Sequence, residues 1–374
     1  MEALDELLKL PTRLDNPYVK EWKESVGYVI GYVCTYVPEE IIFAAGMLPY
    51  RVEARGCTTT ELADVYMHRF NCTYPRCLLQ LGLSGEYDFL DGFCLLNGCE
   101  QIRRMYEVWS KYVKTKFLAM VTVPHTITEE GYKWYRDEIL NFKESLKGYF
   151  AAKLTDDDLR KTIKVYNESR RLIARLYDLR KSEKPPISGT DAFKLITAAF
   201  WMPRDKYNHL LKGALDEISQ REGVSNYRAR VMIGGSACDD PSFIELVEGR
   251  GGLVVTDSLC FGSRHFFNSV KEESDPLEAI AKRYYHHNPC PRMLKEYGNR
   301  LQFTEKLAKE AKVDGIIIQR ISFCDNHGVD SPMLAKDLEA KGIPVLVLEK
   351  EYMLSDIGRL KTRIEAFLER IEER

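Results

Sequence analysis

Arg230-Val231-Met232-Ile233-Gly234-Gly235 is the stretch whose reading decides the fold. An apolar run meeting paired glycines reads as a buried strand that ends in a tight turn. The pattern recurs downstream in Gly252-Leu253-Val254-Val255-Thr256-Asp257, Gly315-Ile316-Ile317-Ile318-Gln319 and Ile343-Pro344-Val345-Leu346-Val347-Leu348-Glu349. A polar turn and then a helical spacing follow each run, and the chain ends in a helix around Thr362 to Glu373. Strands alternating with helices predict a parallel, doubly wound sheet.

The same alternation opens the chain. Tyr28-Val29-Ile30-Gly31-Tyr32-Val33 and Phe117-Leu118-Ala119-Met120-Val121-Thr122-Val123 read as strands. Pro38 to Ala45 reads as a helix with proline at its start and Gly46 at its end. From about Thr128 to Glu222 the pattern is helical, with Leu159, Ile163, Val165, Tyr166 and Leu172 at helical spacing. Thr155-Asp156-Asp157-Asp158 is a helix start with acids at the positive end of the dipole. Lys184-Pro185-Pro186-Ile187-Ser188-Gly189 splits this region in two. The expectation is an α/β protein with two doubly wound (Rossmann/flavodoxin-like) parallel-sheet domains and a helical region between them. The expected boundaries are 1–127, 128–222 and 223–374, with no exact internal repeat in the sequence.

The composition excludes several classes. The 374 residues carry 54 Lys plus Arg against 56 Asp plus Glu, a net charge of −2, so bulk charge gives no basis for binding nucleic acid. Hydrophobic content of 45% and charged content of 29% are those of a globular protein. The first residues, MEALDELLKLPTRLD, lack a secretory apolar core, and apolar runs such as Ile41 to Pro49 are too short to span a membrane. A cytoplasmic protein is expected, in which thiols stay reduced.

Ten cysteines are the anomaly in such a chain. Cys34, Cys99, Cys260 and Cys324 each follow a strand-like run, where ligands gather in open α/β sheets. Cys72 and Cys290 lie in the proline-containing loops Asn71-Cys72-Thr73-Tyr74-Pro75 and Asn288-Pro289-Cys290-Pro291. Cys94 falls inside a strand and reads as core, and Cys57, Cys77 and Cys238 read as structural. No C-x2-C or H-x3–5-H pair points to zinc. Thiols dispersed over several loops suit an iron–sulfur cluster better.

These residues resemble a family. Val33-Cys34-Thr35-Tyr36-Val37-Pro38-Glu39-Glu40-Ile41-Ile42, running into Ala44-Ala45-Gly46-Met47-Leu48-Pro49, looks like the N-terminal signature of the benzoyl-CoA reductase / 2-hydroxyacyl-CoA dehydratase family. Asn71-Cys72 through Leu81-Gly82-Leu83, Asn97-Gly98-Cys99-Glu100-Gln101-Ile102-Arg103-Arg104, Ser322-Phe323-Cys324-Asp325 and the stretch from Gly342 to Phe367 agree with it. The resemblance implies a [4Fe–4S] cluster on Cys72, Cys99 and Cys324. Some relatives carry further thiols at positions matching Cys34, Cys260 and Cys290. The resemblance therefore also admits a double-cubane [8Fe–9S] cluster on six thiolates, the alternative being one cluster and three structural cysteines.

The implied activity is that of an iron–sulfur subunit in an ATP-driven, low-potential one-electron system acting on a CoA thioester. Dearomatising reduction of benzoyl-CoA comes first, and radical dehydration of a 2-hydroxyacyl-CoA second. A double-cubane reductase or electron-relay subunit is the remaining alternative. The implied partners are a homologous second subunit, or a second copy of the chain, and an ATP-hydrolysing iron–sulfur activator. The chain has no G-x-x-x-x-G-K-[ST] motif, so ATP chemistry is expected on that separate protein. His327 and His68 are candidate proton donors or neighbours of a cluster. His286-His287 reads as a pair on a surface loop, Gly234-Gly235-Ser236 as a weak phosphate-cradling turn, and Arg103-Arg104 as solvated helix arginines.

Overall fold

Short β-branched runs become strands, and the amphipathic segments between them become the helices that cover them. The protein is described by a computed structural model at residues 2–9, 13–25, 27–287 and 289–373. Helices α1 (Glu2–Leu8) and α2 (Pro17–Ser25) precede the first sheet. There follow β1 (Val29–Tyr32), α3 (Glu39–Ala44), β2 (Leu48–Arg51), α4 (Glu61–Asp64), α5 (Thr73–Leu83), β3 (Gly92–Leu96), α6 (Glu100–Tyr112) and β4 (Phe117–Val121). Four helices come next: α7 (Glu129–Phe150), α8 (Asp156–Leu179), α9 (Gly189–Ala198) and α10 (Arg204–Ile218). The last part holds β5 (Ala229–Gly235), α11 (Ser242–Glu248), β6 (Gly252–Asp257), α12 (Ser263–Phe266) and α13 (Pro276–His286). It closes with α14 (Tyr297–Glu310), β7 (Gly315–Ile321), α15 (Asp325–Ala340), β8 (Val345–Lys350) and α16 (Ile357–Glu372).

The strands form two four-stranded, all-parallel sheets, ordered β2-β1-β3-β4 and β6-β5-β7-β8. This is the expected two-domain α/β fold. The two orders are the same topology used twice, a duplication that no sequence repeat announces. In each sheet the connections reverse direction between the two central strands, which opens a crevice beyond the ends of β1 and β3 and of β5 and β7. β2 is a strand that the sequence pattern does not reveal, because Pro49 interrupts it. It is an edge strand paired only with β1, where a missing amide donor is tolerated.

The helices start where the sequence places their caps. Thr155 and Asp158 form a reciprocal capping box at the start of α8. Thr128 and Ser188 each accept a backbone N–H at the starts of α7 and α9. α8 packs on α10 and α3, while α9 packs on β6 and α11, so the central helices touch the surroundings of both sheets. One apolar core runs through both halves, with Val29 and Leu95 from the first sheet and Val231 and Ile317 from the second.

Candidate active site: a cavity lined by six thiols

The carboxyl ends of both sheets face one cavity of about 140 Å³, and six cysteines line it: Cys34, Cys72, Cys99, Cys260, Cys290 and Cys324. These are the six that the sequence singles out. The other four stay off it. Cys94 is buried in β3, Cys77 is buried within α5 beside Cys57, and Cys57 and Cys238 line a different cavity.

Local structure explains how the thiols arrive there. Cys72, Cys99 and Cys324 are the N-cap residues of α5, α6 and α15. Each helix therefore presents the positive end of its dipole to the cavity. Cys34 follows β1 with a backbone φ of +85°, and Phe323, just before Cys324, has φ +61°. Left-handed backbone at residues other than glycine is held only where the surrounding structure fixes it, and such residues cluster at functional sites.

The Cys260 loop winds around one carboxylate. Asp257 Oδ1 accepts from the backbone N–H of Leu259 and Ser263, and Ser263 Oγ donates to Asp257 O. Gly262 passes so close that a Cβ there falls 2.1 Å from Asp257 Oδ1. Arg51 donates to Cys260 O at 2.8 Å and so ties β2 to this loop. Arg292 donates to the carbonyls of Asn97, Gly98, Val123 and Pro124, and so ties the Cys290 loop to the Cys99 loop.

The thiols sort electrostatically into two triads. Competition with Cys324 for a proton, then burial, pushes the Cys72 thiol well up, with Cys99 adding to it. Cys324 is held down by the same contact. Burial pushes Cys99 up to about 12, against the backbone N–H groups of Ile102 and Gln101. Burial also raises Cys34, and there the neighbouring sulfurs are those of Cys290 and Cys260. Each triad draws on both halves of the chain: two cysteines before the central helices and one after in the first, one before and two after in the second.

Gln101 is a site residue to which sequence reasoning assigns no role. Its side chain accepts from Cys72 N at 2.5 Å and donates to Phe323 O at 2.8 Å, and it lies two residues after Cys99. One buried amide thus joins the three segments that carry the first triad.

The other expectations divide. His327 lines the cavity, and burial together with Arg264 and Arg300 holds its pKa down to about 3, so its ring is neutral at neutral pH. His68 is exposed, accepts from Phe70 N and packs on the Phe70 ring, and it is absent from the cavity lining. His286-His287 is no surface loop. It closes α13, with His287 5% exposed and packed against the rings of Tyr36 and Tyr284, because the helix continues further than its polar end suggests; Asn288 lies outside the described residues. Gly235 has φ +114°, and a Cβ there meets Gln319 O at 1.8 Å, so the glycine turn serves close approach of β5 to β7. Arg103 and Arg104 pair with Glu100 and Glu107 on the exposed face of α6.

Among the described residues, no three His, Cys, Asp or Glu side chains converge tightly enough to hold a single ion. A cluster asks for a different geometry, because each thiolate bonds a separate iron and the sulfurs surround a volume. Six thiols around one cavity fit a polynuclear group in that sense.

Residues 34–371 match the profile of the 2-hydroxyglutaryl-CoA dehydratase, D-component family. The chain belongs to this family. Within it, the chain is 31% identical to a subunit of the benzoyl-CoA reductase of Thauera aromatica over 89% of its own length and 88% of the relative's. It is 28% identical to the (R)-phenyllactyl-CoA dehydratase beta subunit of Clostridium sporogenes, with 95% and 96% covered. It is 26% identical to the beta subunit of (R)-2-hydroxyglutaryl-CoA dehydratase of Acidaminococcus fermentans, with 99% of each chain covered. Members of this dehydratase family are thus named as subunits of multi-component enzymes of both kinds that the sequence resemblance implies, reductase and dehydratase. No helix among the described residues is long and apolar enough to cross a membrane.

Proposed function

We propose that the chain is a low-potential iron–sulfur subunit whose six cavity thiols, Cys34, Cys72, Cys99, Cys260, Cys290 and Cys324, hold two linked cubanes as one double-cubane centre. The observation that carries this reading is that all six line one cavity, in two triads. A bound centre of this kind supplies one-electron transfer at low potential. The chain's own part is to hold and shield it. Three helix N-termini and the guanidinium groups of Arg51, Arg264 and Arg292 give the cavity a positive lining for an anionic group. Val33, Phe261 and Ile321 keep water from its walls. Gln101, Arg51 and Arg292 fix the loops that carry the thiols.

The partners are a homologous subunit or a second copy of the chain, and a separate ATP-hydrolysing activator, in the cytoplasm. The likeness to a benzoyl-CoA reductase subunit favours a second reading, dearomatising reduction of benzoyl-CoA, with 2-hydroxyacyl-CoA dehydration beside it.

Iron and sulfide counting on anaerobically purified protein, with electron paramagnetic resonance, tests the ligand set. About eight irons per chain are expected, falling by about half in Cys260→Ser and in Cys99→Ser. About four irons, unaffected by Cys260→Ser, reduce the centre to a single cubane. No iron after reconstitution removes the cluster reading altogether.

A further inference from the structure

The cavity arginines are not equivalent. Arg51 is engaged by Cys260 O and His265 Nδ1 and lies 3.7 Å from the centroid of the Phe261 ring. Arg292 is saturated by backbone carbonyls. Arg264, on the short helix α12 four residues after Cys260, is 5% exposed, and its guanidinium makes no hydrogen bond or ion pair among the described residues. Its Nε is fully enclosed and unpartnered. The same side chain also lines a small neighbouring cavity of about 30 Å³, with Ser258, His327 and Ser331, and Ser331 Oγ is likewise buried and unpartnered there. The carboxylate lining that small cavity, Asp330, is taken by Arg300 at 2.7 Å. A permanently charged, buried and uncompensated guanidinium is costly. No hydrogen bond meets that cost, and the groups that favour its charge are led by the sulfurs of Cys290 and Cys260, with Tyr36 and Asp330 behind them.

We propose that Arg264 is the dedicated counter-charge of the second thiol triad: its guanidinium pairs with the net negative charge of the group held by Cys34, Cys260 and Cys290 and stabilises the reduced form of that group. The role deepens the cluster reading and rests on it. Arg264 is a positioning and charge-setting residue, which takes no part in bond making.

The role separates from a structural one by its sign. With the centre removed by anaerobic chelation, Arg264→Met in the full chain relieves a buried charge that has no hydrogen-bonded partner and raises the Tm. With the centre in place, the same variant loses stabilisation of the reduced state. In a redox titration followed by electron paramagnetic resonance, its ratio of reduced to oxidised centre at the wild-type midpoint falls at least about tenfold, about 59 mV for a one-electron couple. Arg264→Lys keeps the charge and titrates close to wild type.

A lower Tm of the chelated Arg264→Met protein, or its failure to fold, makes the residue structural and overturns the proposal. So does an iron-loaded Arg264→Met protein with an unshifted midpoint. Wild-type protein that takes up no iron overturns the cluster reading and the counter-charge with it. An unshifted midpoint in iron-loaded protein overturns the counter-charge alone.

Discussion

The Gln101 amide accepts from Cys72 N and donates to Phe323 O, so a single buried side chain sets the spacing of three thiol loops. Gln101→Leu keeps the volume and removes both bonds, leaving a buried N–H and a carbonyl without partners. A loss of about 1–3 kcal/mol is expected in urea unfolding of the iron-free protein. A variant as stable as wild type shows that the loops are held by other contacts. This residue also marks the limit of what the sequence reveals. The six thiols are legible one by one, since each sits in a loop beyond a strand or beside a proline. Gln101 is not, because its role exists only when residues 72, 101 and 323 converge. His68 misleads for the related reason that closeness to Cys72 in sequence says nothing about which way the loop turns. It turns outward onto Phe70.

At the scale of elements, the segment from β6 to α12 is the most constrained part of the site. Asp257 holds the backbone of Leu259 and Ser263, and Tyr177 donates to its other oxygen. Gly262→Ala drives a methyl against a carboxylate that three donors already fix, so the carboxylate cannot swing away freely. A cost of about 1–3 kcal/mol is expected, with less iron retained per chain as Cys260 shifts. An unchanged Tm and iron content contradict this account of the loop. The segments that become strands and helices are legible here from their periodicity and caps, as in β5 and α8. β2 is hidden because its proline reads as a break until the strand is known to lie at an edge. The three helix N-caps at Cys72, Cys99 and Cys324 are equally hidden, since cysteine is not among the residues that favour that position.

Across the whole molecule, the halves are joined by buried charge as well as by apolar packing. Glu39 on α3 pairs with Arg204 of α10 and with His265 of α12, and Glu40 pairs with Arg170 of α8 and accepts from Tyr284 of α13. Arg51 donates to His265 Nδ1, which must therefore be unprotonated, so Nε2–H donates to Glu39 and the ring is neutral. Burial is the main reason its pKa is held down to about 3, and burial likewise holds His287 well below its usual range. A folded-state pKa below the unfolded value means that the unfolded chain binds more protons below pH 6.5. Stability is then fully present above that value and is lost as pH falls toward the folded pKa. Between pH 6.5 and 5.5 each histidine contributes a slope of up to about 1.4 kcal/mol per pH unit, and Glu53, whose carboxyl burial pushes up to about 7, contributes a slope of the opposite sign. In urea unfolding, His265→Gln is expected to lose less stability than wild type as pH falls across this window. Parallel pH profiles for the two proteins contradict the neutral buried His265.

The division of each triad between the two halves of the chain has a consequence for biosynthesis. Under the proposed ligand set, the second triad is complete only once Cys290 has been made, and the first only once Cys324 has. A nascent chain shorter than 290 residues holds neither set. Under that ligand set the first triad fills after the second can, and a polypeptide interrupted before residue 290 has no complete triad in which to trap iron.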